Sequence, residues 1–387
     1  MLKSQRVYGI SEIDVSILEL FKDLPIAVVS FLIASFLPRI GYKKAMLIAL
    51  GTVSLACIGM YFGNSFLSAK LLFAAVGASF ALIKVSVYSV IGLVTNGEKE
   101  HNSLMSNIEG VFMFGVALGY FLFPAFNSPD NPSAWLNVYW LLAGLSILSF
   151  LFLSRTEFTE DEEIPGANLK EDFLAMLKLL AQVLVAVFVF SAFLFVMIEQ
   201  GIMTWLPTFN FVVLELPENL AIMMSSIFVI TLGIGRLLAG FITKYLSWVA
   251  VITVCLIAAL AIFIFVLPKT VAVNVPEVQH FSDFSLIAFA FTLVVLFIAP
   301  IFPLLSSVIL SALPKILHSP MSGLIIIFSA LGGTLGSRIV GYLFDEVGAG
   351  SAFFYLLIPF GVLFVMIFVL RRLTEQVKTR TKEDNNT

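Results

Sequence analysis

The sequence predicts an all-α membrane protein that crosses the bilayer many times. Three observations predict it. Of the 387 residues, 60% are hydrophobic and only 12% are charged, about half the charged share of a soluble chain. Apolar runs long enough to span a bilayer as helices, about 20 residues each, recur along the whole chain. Between them, Lys and Arg gather in alternate loops.

About eleven runs qualify by length and apolarity, with cores near 24–37, 45–62, 71–94, 107–124, 136–153, 179–211, 221–245, 248–267, 284–313, 323–344 and 352–370. The first is short unless it begins nearer Ile17, and Ile13, Ile17, Leu20 and Leu24 do recur at helical spacing. Arg39, Lys43, Lys44, Lys99, Arg155, Lys170, Lys244, Lys315, Arg371 and Arg372 fall on one side. The positive-inside rule makes that side, and the C-terminus, cytoplasmic.

Five spans precede the acidic stretch at 157–163 and six follow it. The expected divisions are an N-terminal bundle (1–154), a cytoplasmic linker with an amphipathic interfacial helix (155–178), a C-terminal bundle (179–372) and a polar tail (373–387).

Several functions are excluded. The net charge of −3 suggests no nucleic-acid partner. His101, His280 and His318 are scattered, and Cys57 and Cys255 lie inside apolar runs, so no metal spacing exists. The sequence holds no GxxxxGK[ST] loop, HExxH or GxSxG, so neither direct nucleotide use nor enzymatic chemistry is expected, and no cofactor. The first residues have no apolar h-region and read as no signal peptide.

Charges inside spans are the informative residues, because one near mid-bilayer costs at least ~2.5 kcal/mol. Glu199 lies well inside the 179–211 run and should face protein or a watery cavity. Gln200, Trp205 and Asn210 follow it on the same helix. An aromatic beside hydrogen-bonding groups is how proteins commonly hold a sugar ring. The competing reading makes Trp205 an interfacial belt residue. Pro207 is expected to break or kink that helix. Lys84 lies mid-span with Tyr88 one turn on, on the same face. Glu109 lies in the next span and is a candidate either to pair with Lys84 structurally or to leave Lys84 and Tyr88 free to donate to a solute. Glu199 and Glu109 are the candidates for proton coupling, since protonation removes their charge. Arg236 and Arg338 are read as gate residues. Gly332, Gly333, Gly336 and Gly341, and likewise Gly115 and Gly119, are spaced for close helix approach. Pro300, Pro303 and Pro314 mark a kinked or broken helix.

Two loops repeat a pattern across the halves. FLPRIGYKKAML contains Arg39, Gly41 and Lys43, and GRLLAGFITKYLSW contains Gly240 and Lys244. They resemble the cytoplasmic loop motif of the major facilitator superfamily, Gly-x-Leu-x-Asp-Arg-x-Gly-Arg-Arg. Pro38 stands at its acidic position, Ala34 at its first Gly, and Lys244 where the second copy would carry Asp. IEQGIMTWL, SSIFVITLGIGRLLAGF, APIFPLLSSVILSAL and SGLIIIFSALGGTLGSRIVGYLFD are similar, in order, to helices of the fucose-permease branch.

The resemblance implies a two-bundle fold and alternating access. It implies a transporter moving a small polar solute, a sugar with protons, across the inner membrane. It also implies that the family's first helix is missing here, since Gly9 to Leu20 resemble the segment between its first two helices; a start codon assigned too late would account for that. Solute, protons and lipid are the expected partners, and a monomer the expected state. An efflux carrier for amphipathic compounds and a receptor that binds without transporting are the alternatives.

Overall fold

A computed structural model describes residues 12–126, 131, 133–157, 174, 177–216, 218–270 and 289–384. Described residues outside turns and loops are helical, and no strand occurs among them. In chain order the helices are α1 (Glu12–Ile40), α2 (Tyr42–Gly63), α3 (Phe66–Val94), α4 (Glu98–Ala125), α5 (Asn137–Arg155), α6 (Val183–Val212), α7 (Glu218–Ile242), α8 (Trp248–Thr270), α9 (Ala290–Ile298), α10 (Ile301–Ala312), α11 (His318–Val347), the single turn α12 (Ala349–Ala352) and α13 (Leu357–Asp384). Among the described residues, eight helical stretches are long and apolar enough to cross a membrane. The sequence-expected linker at 158–173 and the 271–283 loop lie outside the described residues.

Local chemistry sets the boundaries. Gly41, at φ 89°, separates α1 from α2 in a conformation that an L side chain rarely adopts. Asn64 ends α2 in the left-handed region, its N–H donating to the Met60 carbonyl. Ser65 and Ser68 then cap each other's backbone N–H groups as α3 begins. At the start of α4 the Asn96 N–H donates to Glu100 Oε2 at 2.8 Å, offsetting the unpaired donors of a helix start. Lys43 Nζ donates to the carbonyls of Ser154 (3.0 Å) and Thr156 (2.8 Å), covering the negative end of α5.

Two prolines behave differently. Pro207 sits inside α6, which continues to Val212, so the expected break there does not occur. Between α9 and α10 the helix is interrupted at Ala299 and Pro300, with Pro303 in the first turn of α10 where its missing N–H costs little. The polar residues after 372, expected as a tail, extend α13 as far as Asp384.

The chain forms two compact units. The first comprises residues 1–94, 119–179 and 314–327. Its α3 packs on α1 and α2, and α2 packs on α5. Its cores are Leu18, Cys57, Met60, Trp135 and Tyr139, and separately Ile33, Leu37, Ala45, Val85 and Ile326. The second comprises residues 95–118, 180–313 and 328–387. In it α6 packs on α7, α10 and α13, and α9 on α7 and α8. Its core is aromatic: Phe209, Phe291 and Phe353 form a mutual cluster, with Phe263 and Phe360 beside it. This grouping cuts across the halves read along the sequence, because the first part of α4 packs closely on α7.

Candidate functional site

Two glycine seams in the second unit bring the charged helices together. Along α4 and α7, an added Cβ at Gly110 would meet Leu237 and the Gly233 carbonyl, and one at Gly240 would meet Asn107 and the Ser103 carbonyl. On the other side of α7, Gly235 lies against Ala299 and the Leu296 carbonyl. The second seam joins α6 to α11: Gly332 faces the Phe193 carbonyl, Gly336 the Met197 carbonyl, and Gly341 the Trp205 ring. Gly115 and Gly119, expected to act likewise, have open space at the Cβ position, so Gly110 carries the close approach of α4 instead.

Arg236 lies on α7 among the glycines of the first seam, Gly233, Gly235 and Gly240. Its Nη1 donates to Glu109 Oε2 of α4 at 2.8 Å, and its Nη2 donates to Glu199 Oε1 of α6 at 2.8 Å. Arg236 and Glu109 are each 2% exposed and Glu199 8%. The planar guanidinium presents two donors in a fixed fork, so one side chain ties three helices. Its Cζ lies 6.0 Å from the Phe302 ring centroid, and Phe302 stacks on Phe195, one turn before Glu199. Apolar surroundings of this kind strengthen each charge-assisted bond.

A partner for Glu199 was not legible from neighbouring sequence. Arg236, 37 positions away, supplies it. The same Arg is also a partner of Glu109, a pairing the sequence reading did not propose. The usable signal was charge: Arg236, Glu109 and Glu199 lie in three separate spans, and buried charges need counterions.

The other sequence-chosen residues are placed as follows. Asn210 is 1% exposed, and neither its Nδ2 nor its Oδ1 has a hydrogen-bond partner among the described residues. Gln200 is half-buried with its aliphatic stem against Gly333. Trp205 is committed to α11: its Nε1 donates to the Ser337 carbonyl at 2.8 Å and its ring packs on Phe344 at 5.0 Å. In the first unit, Lys84 Nζ sits 5.7 Å from the Phe80 ring and 5.1 Å from the buried Tyr88 ring, one turn on either side. Arg39 closes α1 beside Gly41 and Lys43. Arg338 is exposed on α11.

The sequence model of the Major Facilitator Superfamily matches residues 5–315. The chain belongs to the Major Facilitator Superfamily. This facilitator is therefore a multi-pass membrane transporter, and the family is one of transporters, not enzymes. Its fold is similar to that of the transporter FucP in the outward conformation (TM-score 0.77, 14% identity, covering 97% of this chain and 93% of that one). FucP is described in another structure as the E. coli fucose:proton symporter. The fold is also similar to the proton:xylose symporter XylE (0.75, 11%, 95% and 89%) and to the human organic anion transporter MFSD10 (0.71, 16%, 91% and 82%). No curated protein sequence matches this facilitator.

Proposed function

We propose that this facilitator is a proton-coupled symporter for a small polar solute, a sugar, working by alternating access in the cytoplasmic membrane. The observation that carries the reading is the Arg236 fork. One guanidinium serves two buried carboxylates from different helices. Protonating Glu199 removes its claim on Arg236, so α6 is released from α7 while α4 stays tied through Glu109. A proton thus changes which helices are held together, and helix movement then costs less because fewer unpaired charges cross apolar surroundings. Two of the structural neighbours are named as sugar:proton symporters, which supports the solute class.

In this reading Glu199, Gln200 and Asn210 meet solute hydroxyls. The unpartnered Asn210 amide has both a donor and an acceptor to give. Lys84 and Tyr88 are further candidate donors to a solute, and Trp205 positions α6. Glu199 and Glu109 are the coupling carboxylates. Arg236 serves as their switch, Arg338 closes the outer gate, and Arg39, Gly41 and Lys43 form the cytoplasmic loop joint. The protein works as a monomer with its C-terminus in the cytoplasm. Proteoliposomes loaded with unlabelled monosaccharides should show counterflow of the labelled sugar, and an imposed inward proton gradient should drive its accumulation. Binding without flux would point to a receptor instead.

A second reading is favoured by Lys84. An ammonium between two aromatic rings would suit an amphipathic anion, its charge on Lys84 and its apolar body on Phe80 and Tyr88. An organic anion transporter shares the fold. Counterflow of a labelled aryl carboxylate, with none of any monosaccharide, would establish this efflux role and exclude the sugar.

A further inference from the structure

A cavity of about 540 Å³ lies at one end of the second unit, where α4 and α8 begin and α13 leaves its apolar stretch. The transport reading does not use it. Its lining is of two kinds. Glu98 of α4, Ser247 just before α8, and Arg371 and Glu375 of α13 supply charge and hydrogen-bonding groups. Arg371 Nε donates to Glu375 Oε1 at 2.8 Å, which leaves the two Nη groups of the guanidinium for other acceptors. Ser247 Oγ accepts the Ala250 N–H at 3.3 Å, so its own O–H can donate elsewhere. The rest of the lining is apolar and includes Val254 of α8 and Phe368 of α13, both exposed. Ile257 and Val365, one turn farther into the apolar stretch of each helix, are exposed as well.

α8 and α13 pack together, and both are long and apolar enough to span the membrane. The charged lining sits at their ends and the apolar lining one turn or more inward, so the first is at headgroup level and the second at acyl level. Trp248, the first residue of α8, belongs to the same lining, and Trp gathers at that boundary. A water-soluble solute would leave the exposed apolar part unmatched; a phospholipid matches both parts. The charges narrow its headgroup. Two carboxylates and one guanidinium line the cavity, so an anionic lipid would bring its negative charge to an excess of carboxylates. A headgroup holding a phosphate and a cation meets both signs. A primary ammonium also offers three N–H donors to carboxylates, and a quaternary ammonium offers none.

We propose that this cavity binds one phospholipid whose headgroup carries a phosphate and a primary ammonium, the chemistry of a phosphatidylethanolamine. The phosphate takes the Arg371 Nη donors, a planar fork suited to it, and the Ser247 hydroxyl. The ammonium meets Glu98 and Glu375. An acyl chain runs along Val254 and Phe368 towards Ile257 and Val365. The lipid thus ties the ends of α4, α8 and α13, and a ligand that binds only the folded chain stabilises it. Binding here is independent of what the protein transports.

The test is native mass spectrometry of the full chain in detergent, offered phosphatidylethanolamine, phosphatidylcholine and phosphatidylglycerol with identical acyl chains. The expected result is one phosphatidylethanolamine retained at collision energies that strip the other two lipids. Glu98→Gln with Arg371→Gln should cut that retention several-fold, to the level of phosphatidylcholine. Arg372→Gln, which removes an exposed charge next to the cavity but not in its lining, should leave retention unchanged. Equal retention of the three lipids by the wild-type chain, or preferential retention of phosphatidylglycerol, would overturn the headgroup assignment. Unchanged retention in the double variant, or an equal loss in Arg372→Gln, would overturn the site. Should the double variant misfold, Val254→Trp, which adds bulk to the apolar part from an exposed position, decides the matter: a several-fold loss of phosphatidylethanolamine supports the site and wild-type retention overturns it.

Discussion

Arg236 and Glu199 meet at 2.8 Å in the interior of one unit, both more than nine-tenths buried and drawn from different helices. That contact turns a lone intramembrane carboxylate into part of a three-helix fork. The charge on each carboxylate strengthens its bond to the guanidinium.

Arg236→Met leaves Glu109 and Glu199 buried without this counterion. Breaking a buried pair by removing one partner costs about 3–5 kcal/mol. The purified variant should therefore lose a large part of its thermal stability, read as the fraction still monodisperse after heating. Adding Glu109→Gln and Glu199→Gln should recover most of it. A single Arg236→Met variant as stable as wild type would remove the fork from the account of folding.

The glycine seams predict a contrast among chemically identical changes. Gly336→Ala drives a methyl group against the backbone carbonyl of Met197, and overpacking of this kind costs about 1–3 kcal/mol. Gly115→Ala meets nothing and should be neutral or stabilising by up to about 1 kcal/mol through helix propensity. The same heating assay on both variants checks the difference.

Asn210→Leu separates structure from binding. Its amide has no partner among the described residues, so an apolar residue of similar size should cost little stability or even add some. If the amide meets the solute, the variant should fold normally and show a KM raised about tenfold, the worth of roughly 1.4 kcal/mol. Unchanged KM would take Asn210 out of the binding set.

Lys84→Met and Tyr88→Phe ask the same of the first unit. Hydrogen bonds to charged groups contribute about 1.5–3 kcal/mol, so Lys84→Met should raise KM at least tenfold. Tyr88→Phe keeps the ring under the ammonium and loses only a hydroxyl, so its effect should be smaller. Equal, large losses of folded protein in both variants would assign the pair to packing.

Much of the fold was legible because the bilayer imposes a single length scale on apolar runs. The α9–α10 interruption was visible at Pro300, since proline removes a backbone donor. Pro207 does not break the helix, since α6 continues through it to Val212. The polar residues beyond 372 looked like a tail, yet Arg371 and Glu375, one turn apart, pair at 2.8 Å where α13 continues into them. The charged residues of the site were individually visible as charges in spans. Their pairing was not, because it depends on which faces of α4, α6 and α7 meet. Gly110 and Gly233 decide that for α4 and α7, and nothing in the sequence sets Gly110 apart from Gly115 and Gly119, whose Cβ positions are open.

Under the proposed function, a proton on Glu199 releases Arg236 and so couples solute movement to the proton gradient. Glu199→Gln mimics the protonated side chain: it keeps hydrogen-bonding groups and gives up the charge. The decisive measurement is solute counterflow and proton-driven uptake, side by side, in proteoliposomes carrying this variant. Counterflow should persist with a modest loss of affinity while accumulation against a gradient is abolished. Loss of both activities together, or retention of both, would contradict it.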